Sequence, residues 1–97
     1  MDRLNKIFNF QKNIITNNDV SYQNNGYQIT YSNDDNIIMI TYNNLEYKVK
    51  IVKVENDYFW SLTPYNNSSF ITNINNPDSF DMVLFAIKEN DTLYKNK

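Results

Sequence analysis

The chain has 97 residues, a formal net charge of −2, and neither cysteine nor histidine. Its length predicts one small globular domain, residues 1–97, with the last few residues frayed. The absence of cysteine and histidine excludes disulfides, thiolate nucleophiles, histidine-based triads and the commonest transition-metal ligands, and a single glycine excludes glycine-rich phosphate loops.

Asparagine accounts for 19 of the 97 residues, whereas alanine and arginine occur once each. This bias is typical of an AT-rich coding genome. Enough aromatic and branched aliphatic residues remain to build a core, so we do not interpret the asparagines as a disordered tract. Asparagine pairs separate the apolar runs, which is where turns and helix caps are expected.

The first predicted element is an amphipathic helix over residues 3–16. Its apolar residues recur at helical spacing: Leu4, Ile7, Phe8, Ile14 and Ile15. Asp2 is available as the N-cap, and the segment Asn17-Asn18-Asp19 is expected to end the helix.

The apolar period then changes from that of a helix to that of a strand. We expect strands over residues 27–32, 37–42, 45–54 and 58–63, and a short edge strand over residues 70–74. Asn43-Asn44, between the second and third strands, favours a two-residue type I′ hairpin.

The last predicted element is a second helix, which starts at a capping Asn76 followed by Pro77. Four apolar residues are expected to form its buried face: Phe80, Val83, Leu84 and Ile87. Met82, Phe85 and Ala86 widen that face, so we expect this helix to pack on more than one side. The fold class is therefore α+β: an N-terminal helix, an antiparallel meander of about four to five strands and a C-terminal helix.

Acidic residues in two of the predicted turns form the first candidate site. There are four of them: Asp34, Asp35, Glu55 and Asp57. Alternate turns of a meander lie at the same end of the sheet, and two strand spacings place these turns roughly 10 Å apart. We expect this acidic end, assisted by Tyr31 or Tyr58, to bind a basic surface on a larger protein partner in preference to Ca²⁺. The alternative is that the acids are ordinary, solvated turn residues.

Some apolar residues of the predicted strands alternate with the core residues and therefore point to the other face of the sheet. It comprises Ile37, Met39, Val52, Val54 and Phe59. These residues would give the outer face of the sheet an apolar stripe, which predicts either an interface, for example in a homodimer, or packing against the second helix.

Lys48, Lys50 and Lys53 lie on or near one face of the longest strand, close to tyrosines. Lysines interleaved with aromatic side chains are typical of single-strand nucleic-acid binders. The net negative charge makes this the weaker hypothesis, and lysine on a strand also discourages edge pairing.

The sequence contains no catalytic constellation, so we expect a non-enzymatic protein without a cofactor, a metal or a membrane segment. Its organisation, fewer than 100 residues with an acidic balance, a helix and a small sheet, resembles the small inhibitors that phages and mobile elements carry against bacterial defence, including anti-CRISPR proteins. It is equally similar to immunity proteins that neutralise toxins. The resemblance implies a cytoplasmic protein of a bacterial host cell that blocks a larger partner; a homo-oligomeric structural protein is the alternative.

Overall fold

The computed structural model describes residues 3–32, 35–63, 70–76 and 78–95. Three helices and five strands occupy these residues. In chain order they are α1 (Arg3–Thr16), α2 (Asp19–Asn24), β1 (Tyr27–Ser32), β2 (Ile37–Tyr42), β3 (Leu45–Val54), β4 (Asp57–Thr63), β5 (Phe70–Asn73) and α3 (Ser79–Lys95).

The strands form one antiparallel sheet in the order β1-β2-β3-β4-β5, which confirms the predicted meander. Asn43 and Asn44 join β2 to β3 with φ angles of 51° and 68°. Positive φ at both central positions is the signature of a type I′ turn, whose twist matches that of the flanking strands.

Both long helices pack on the same face of the sheet, hereafter the inner face. The Tyr27 hydroxyl donates a 2.9 Å hydrogen bond to the Leu84 carbonyl of α3, and the Trp60 indole Nε1 donates a 3.0 Å bond to the Ser79 hydroxyl. On α1, the Lys12 ammonium lies 5.4 Å from the centre of the Tyr31 ring. Every second residue of the strands points to the inner face, and the apolar ones among them form the core between the sheet and the helices.

One helix was not predicted, and the start of another differs from the prediction. A short helix, α2, follows Asn18 where the chain was expected to turn, and α3 begins at Ser79, not at the residue after Asn76. The Asn76 side chain still forms a hydrogen bond just before the start of α3, because its Oδ1 accepts a bond from the Asp78 amide. α3 continues to Lys95. Asp2 and Pro77 lie outside the described residues.

The apolar surfaces of the long helices also differ from the prediction. Ala86 is buried, but Met82 and Phe85 are exposed, so α3 packs on one side and not on several. Ile14 of α1 is exposed as well, although it continues the helical apolar pattern. Within the described part of the chain, no helix is long and apolar enough to cross a membrane.

Candidate functional site

A cleft of about 510 Å³ lies between α1 and the start of α3. Phe10 and Ile14 of α1 form one wall, and Phe80 and Asp81 of α3 lie across from them, with Tyr22 of α2 at the boundary. Amide side chains complete the lining: Gln11, Asn18, Asn75 and Asn76. The cleft therefore combines an apolar centre with hydrogen-bonding groups, which is the usual character of a recognition site.

The floor of this cleft is anchored to the core through aromatic rings. The rings of Tyr22 and Phe80 are 5.5 Å apart, and those of Phe80 and Trp60 are 5.7 Å apart in an edge-on arrangement. Trp60 is fully buried. Because each ring is held by the next, the floor is formed before any ligand arrives.

A second cleft, of about 360 Å³, shares Tyr22 and Asp81 with the first. Leu84, Phe85 and Lys88 line it on the side of α3. The two clefts thus make one groove between α1 and α2 on one side and α3 on the other, hereafter the helix groove. Asp81 supplies a carboxylate at the point where the clefts meet.

The Asp81 carboxylate changes the pKa of Tyr22. Burial raises the pKa of the Tyr22 hydroxyl, and the negative charge of Asp81 raises it further. The raised pKa shows that the Tyr22 hydroxyl is partly shielded from water and lies within the field of the Asp81 carboxylate.

Two phenylalanines border the helix groove with most of their surface in water. Phe10 is 65% exposed and Phe85 is 64% exposed, and Ile14 is 45% exposed beside Phe10. Large apolar side chains grouped around a groove mark an interaction site more strongly than scattered ones do. Helical spacing alone does not reveal this site, because it places Ile14 and Phe85 on buried faces. The available signal was that each helix has more apolar residues than one buried stripe needs.

The structure places the two predicted acidic turns at the same end of the sheet but not level with each other. Ile37, the first residue of β2, pairs with Lys50, and β3 continues beyond Lys50 to Val54. At about 3.3 Å per residue, β3 extends about 13 Å beyond the residue that pairs with the start of β2. The separation of roughly 10 Å expected from strand spacing alone does not include this stagger. Asp34 lies outside the described residues.

The remaining residues of the acidic end are surrounded by charges of both signs. Asp35, Glu55 and Asp57 are exposed. Asp57 and Tyr58, however, line a groove of about 440 Å³ together with two cationic residues of α1, Arg3 and Lys6.

Lysines also lie over both tyrosines that were predicted to assist the acids. Lys12 is 5.4 Å from the Tyr31 ring centre and Lys53 is 6.0 Å from that of Tyr58. These cations oppose the negative field that a basic partner would require.

The five residues of the predicted apolar stripe do share the outer face of the sheet. Met39 and Ile37 pair with Lys48 and Lys50, and Val52 pairs with Phe59. No helix among the described residues covers this face, because α1 and α3 both lie on the other one. Four of the five residues, all except the exposed Val54, are half-buried by their neighbours, so the stripe is less open than the helix groove.

The three lysines of the nucleic-acid hypothesis do not form one surface. Lys48 and Lys50 are exposed on the outer face, beside Met39 and Ile37. Lys53 has the opposite parity and reaches over Tyr58 on the inner side. The structure therefore separates Lys53 from the other two.

Within residues 3–32, 35–63, 70–76 and 78–95, no group of three or more carboxylate or other metal-binding side chains is placed to hold a metal ion. Comparison with known proteins found no matching family model, no matching curated protein and no matching solved structure. The functional argument therefore rests on the residues of this chain.

Proposed function

We propose that this chain is a non-enzymatic binding protein that blocks a larger protein partner, and that the helix groove is its contact surface. The exposure of Phe10 and Phe85 on either side of a pre-formed groove carries the proposal. Burying two phenylalanines contributes about 1.5–3 kcal/mol each when their surface is fully removed from water. Their positions on helices hold them in place, which lowers the entropic cost of binding.

The chemistry of the groove indicates the kind of partner. Its centre is apolar, its border carries amides such as Gln11 and Asn75, and Asp81 is the charged residue that lines both clefts, whereas Lys88 lines only the second. A partner surface that presents apolar side chains around one lysine or arginine matches all three features. This agrees with the basic partner expected from the sequence, but at a different place on the molecule.

Selection of displayed random peptides tests the proposal and does not require the partner itself. Peptides are selected on the natural protein and counter-selected on the double variant Phe10→Ser/Phe85→Ser. We expect the survivors to carry apolar residues around a lysine or arginine, and their affinity to fall about tenfold or more in the double variant.

Two further variants make the selection decisive. Asp81→Asn should weaken binding of the selected peptides, whereas the matched change Asp78→Asn, in the same helix start but outside both cleft linings, should not. Survivors without a cation, or peptides that bind the double variant equally well, would contradict the proposal.

The outer face of the sheet is the second candidate surface, favoured by the shared position of Ile37, Met39, Val52 and Phe59. It would serve the alternative function, self-association of a structural protein. Phe59→Lys should abolish that self-association and leave peptide binding in the helix groove unchanged.

A further inference from the structure

A third cleft adjoins the helix groove beside the N-terminal half of α1. It has a volume of about 440 Å³ and shares four lining residues with the first cleft: Phe10, Gln11, Ile74 and Asn75. The exposed ring of Phe10 therefore borders both clefts. A partner side chain that packs on Phe10 brings the neighbouring residues of its segment to the third cleft, so this cleft extends the surface that a partner in the helix groove would meet.

The three clefts follow one another along the chain. α1 contributes Lys6 to the third cleft, Phe10 to the third and the first, and Ile14 and Asn18 to the first alone, and Tyr22 of α2 then lines the first and the second. At about 1.5 Å per residue, Lys6 and Asn18 are about 18 Å apart along the helix axis. The clefts therefore form one continuous path, and different residues of a partner segment meet its different parts.

The third cleft is the cationic part of this path. Arg3 and Lys6 line it and are exposed, and the one carboxylate in its lining is that of Asp57. A further cation lies beside it, because the Lys53 ammonium is 6.0 Å from the centre of the Tyr58 ring, which also lines the cleft. Cations therefore outnumber carboxylates here, and the cleft attracts a negative group.

We propose that the partner segment bound in the helix groove continues into the third cleft and sets an aspartate or glutamate against Arg3 and Lys6. This inference rests on the proposed function, which already sets a lysine or arginine of the partner against Asp81. Guanidinium and ammonium groups bind carboxylates through charge-assisted hydrogen bonds, and arginine forms two of them in parallel. The occupant is therefore a protein segment with an acid and a base on either side of an apolar centre, and not a uniformly basic one.

The separation of the two charged parts also sets the direction in which the segment runs. A segment bound in the reverse direction would set its acid against Asp81 and its base against Arg3 and Lys6. Like charges placed against each other disfavour that arrangement at both positions. The path therefore distinguishes partners by the order of their charges as well as by their apolar residues.

The displayed-peptide selection supplies the probes, and three variants of the full chain test the extension. Arg3→Gln/Lys6→Gln removes two exposed cations, and we expect it to weaken the selected peptides about fivefold at low ionic strength and less as salt is added. The matched control Lys48→Gln/Lys50→Gln makes the same change in net charge on the outer face of the sheet and should leave the affinity unchanged. Asp57→Asn removes the opposing carboxylate and should strengthen binding.

Exchanging two residues of a selected peptide tests the order of the charges. We expect the survivors to carry an acid on one side of their apolar residues and a base on the other. Exchanging the acid and the base keeps the composition and net charge of the peptide, yet its affinity should fall about tenfold or more. Replacing the acid by glutamine should weaken binding to the natural protein and have little effect on binding to Arg3→Gln/Lys6→Gln, because the interaction is already lost there.

Failure of this inference and failure of the proposed function give different results. Peptides that lose affinity in Phe10→Ser/Phe85→Ser but bind Arg3→Gln/Lys6→Gln as tightly as the natural protein would overturn the inference and leave the proposed function standing. Equal losses in the arginine–lysine variant and in its matched control would overturn it as well. A selection that yields no peptide dependent on the two phenylalanines would overturn both.

Discussion

The side-chain amide of Asn90 donates a 3.1 Å hydrogen bond to the hydroxyl of Tyr47 inside the interface between α3 and the sheet. Both residues are buried, and 43 residues of chain separate them. The bond gives each polar group a partner and sets the position of the C-terminal half of α3 on β3.

Removing this bond from one side should leave a buried polar group without its partner. We expect Asn90→Ala to lower the free energy of unfolding by about 1–3 kcal/mol, through the lost bond and the unpaired Tyr47 hydroxyl. Tyr47→Phe should cost less, about 1 kcal/mol, because it removes the hydroxyl itself. Urea unfolding measures both, and a double variant whose loss equals the sum of the single losses would show that the two groups do not interact.

Alkaline pH should destabilise the protein through its buried tyrosines. Burial raises the pKa of Tyr27 from 10.0 to about 12, with a smaller contribution from Tyr42. Above pH 10 the unfolded chain releases this proton while the folded chain keeps it, so the free energy of unfolding should fall between pH 10 and about 12. The contribution is fully present below pH 10. Urea midpoints measured across this range test the sign; Tyr27→Phe should make the fall shallower, and an unchanged slope would exclude Tyr27 as its source.

The two residues of the type I′ turn should respond differently to glycine. Asn43→Gly and Asn44→Gly both keep a residue that tolerates positive φ. Only Asn43 also donates a 2.8 Å hydrogen bond to the Asp91 carboxylate of α3. We expect Asn43→Gly to lower the free energy of unfolding by about 1 kcal/mol and Asn44→Gly to change it little. Thermal unfolding compares them, and equal losses would show that the Asp91 contact contributes nothing.

The exposed phenylalanines should matter for binding and not for folding. Phe80 is buried beneath the helix groove, so Phe80→Ala should cost about 3–5 kcal/mol of stability. Phe10→Ala and Phe85→Ala should each change the free energy of unfolding by less than about 0.5 kcal/mol. Chemical denaturation separates the two classes. A large loss at Phe10 or Phe85 would mean that these side chains support the fold, which would remove them from the proposed contact surface.

Much of the fold was predictable because local patterns specify it. The alternation around Tyr47 and Val49 assigned the inner face of β3, and the pair Asn43-Asn44 specified the turn before it. Such patterns depend on residues close in sequence, where backbone geometry leaves few choices. The helix Arg3–Thr16 was predicted with its observed bounds for the same reason.

The candidate site was not predictable in the same way. Ile14 and Phe85 fit buried positions by spacing alone, yet the structure exposes them on either side of a groove. Spacing along a helix shows which residues share a face, but the width of the face that is covered depends on the neighbouring element. Likewise, the stagger of the acidic turns follows from the length of β3 beyond Lys50, which only the pairing register reveals.

The sequence by itself determined what chemistry is excluded, because a chain without histidine or cysteine cannot build the corresponding sites. It also determined the order and type of the main elements, through local periodicity and turn residues. Only the tertiary structure decided which apolar residues remain in water and that Asp81 lies between the two clefts. These properties arise from contacts between residues far apart in the chain, and each residue's exposure is set by the area that its neighbours leave uncovered.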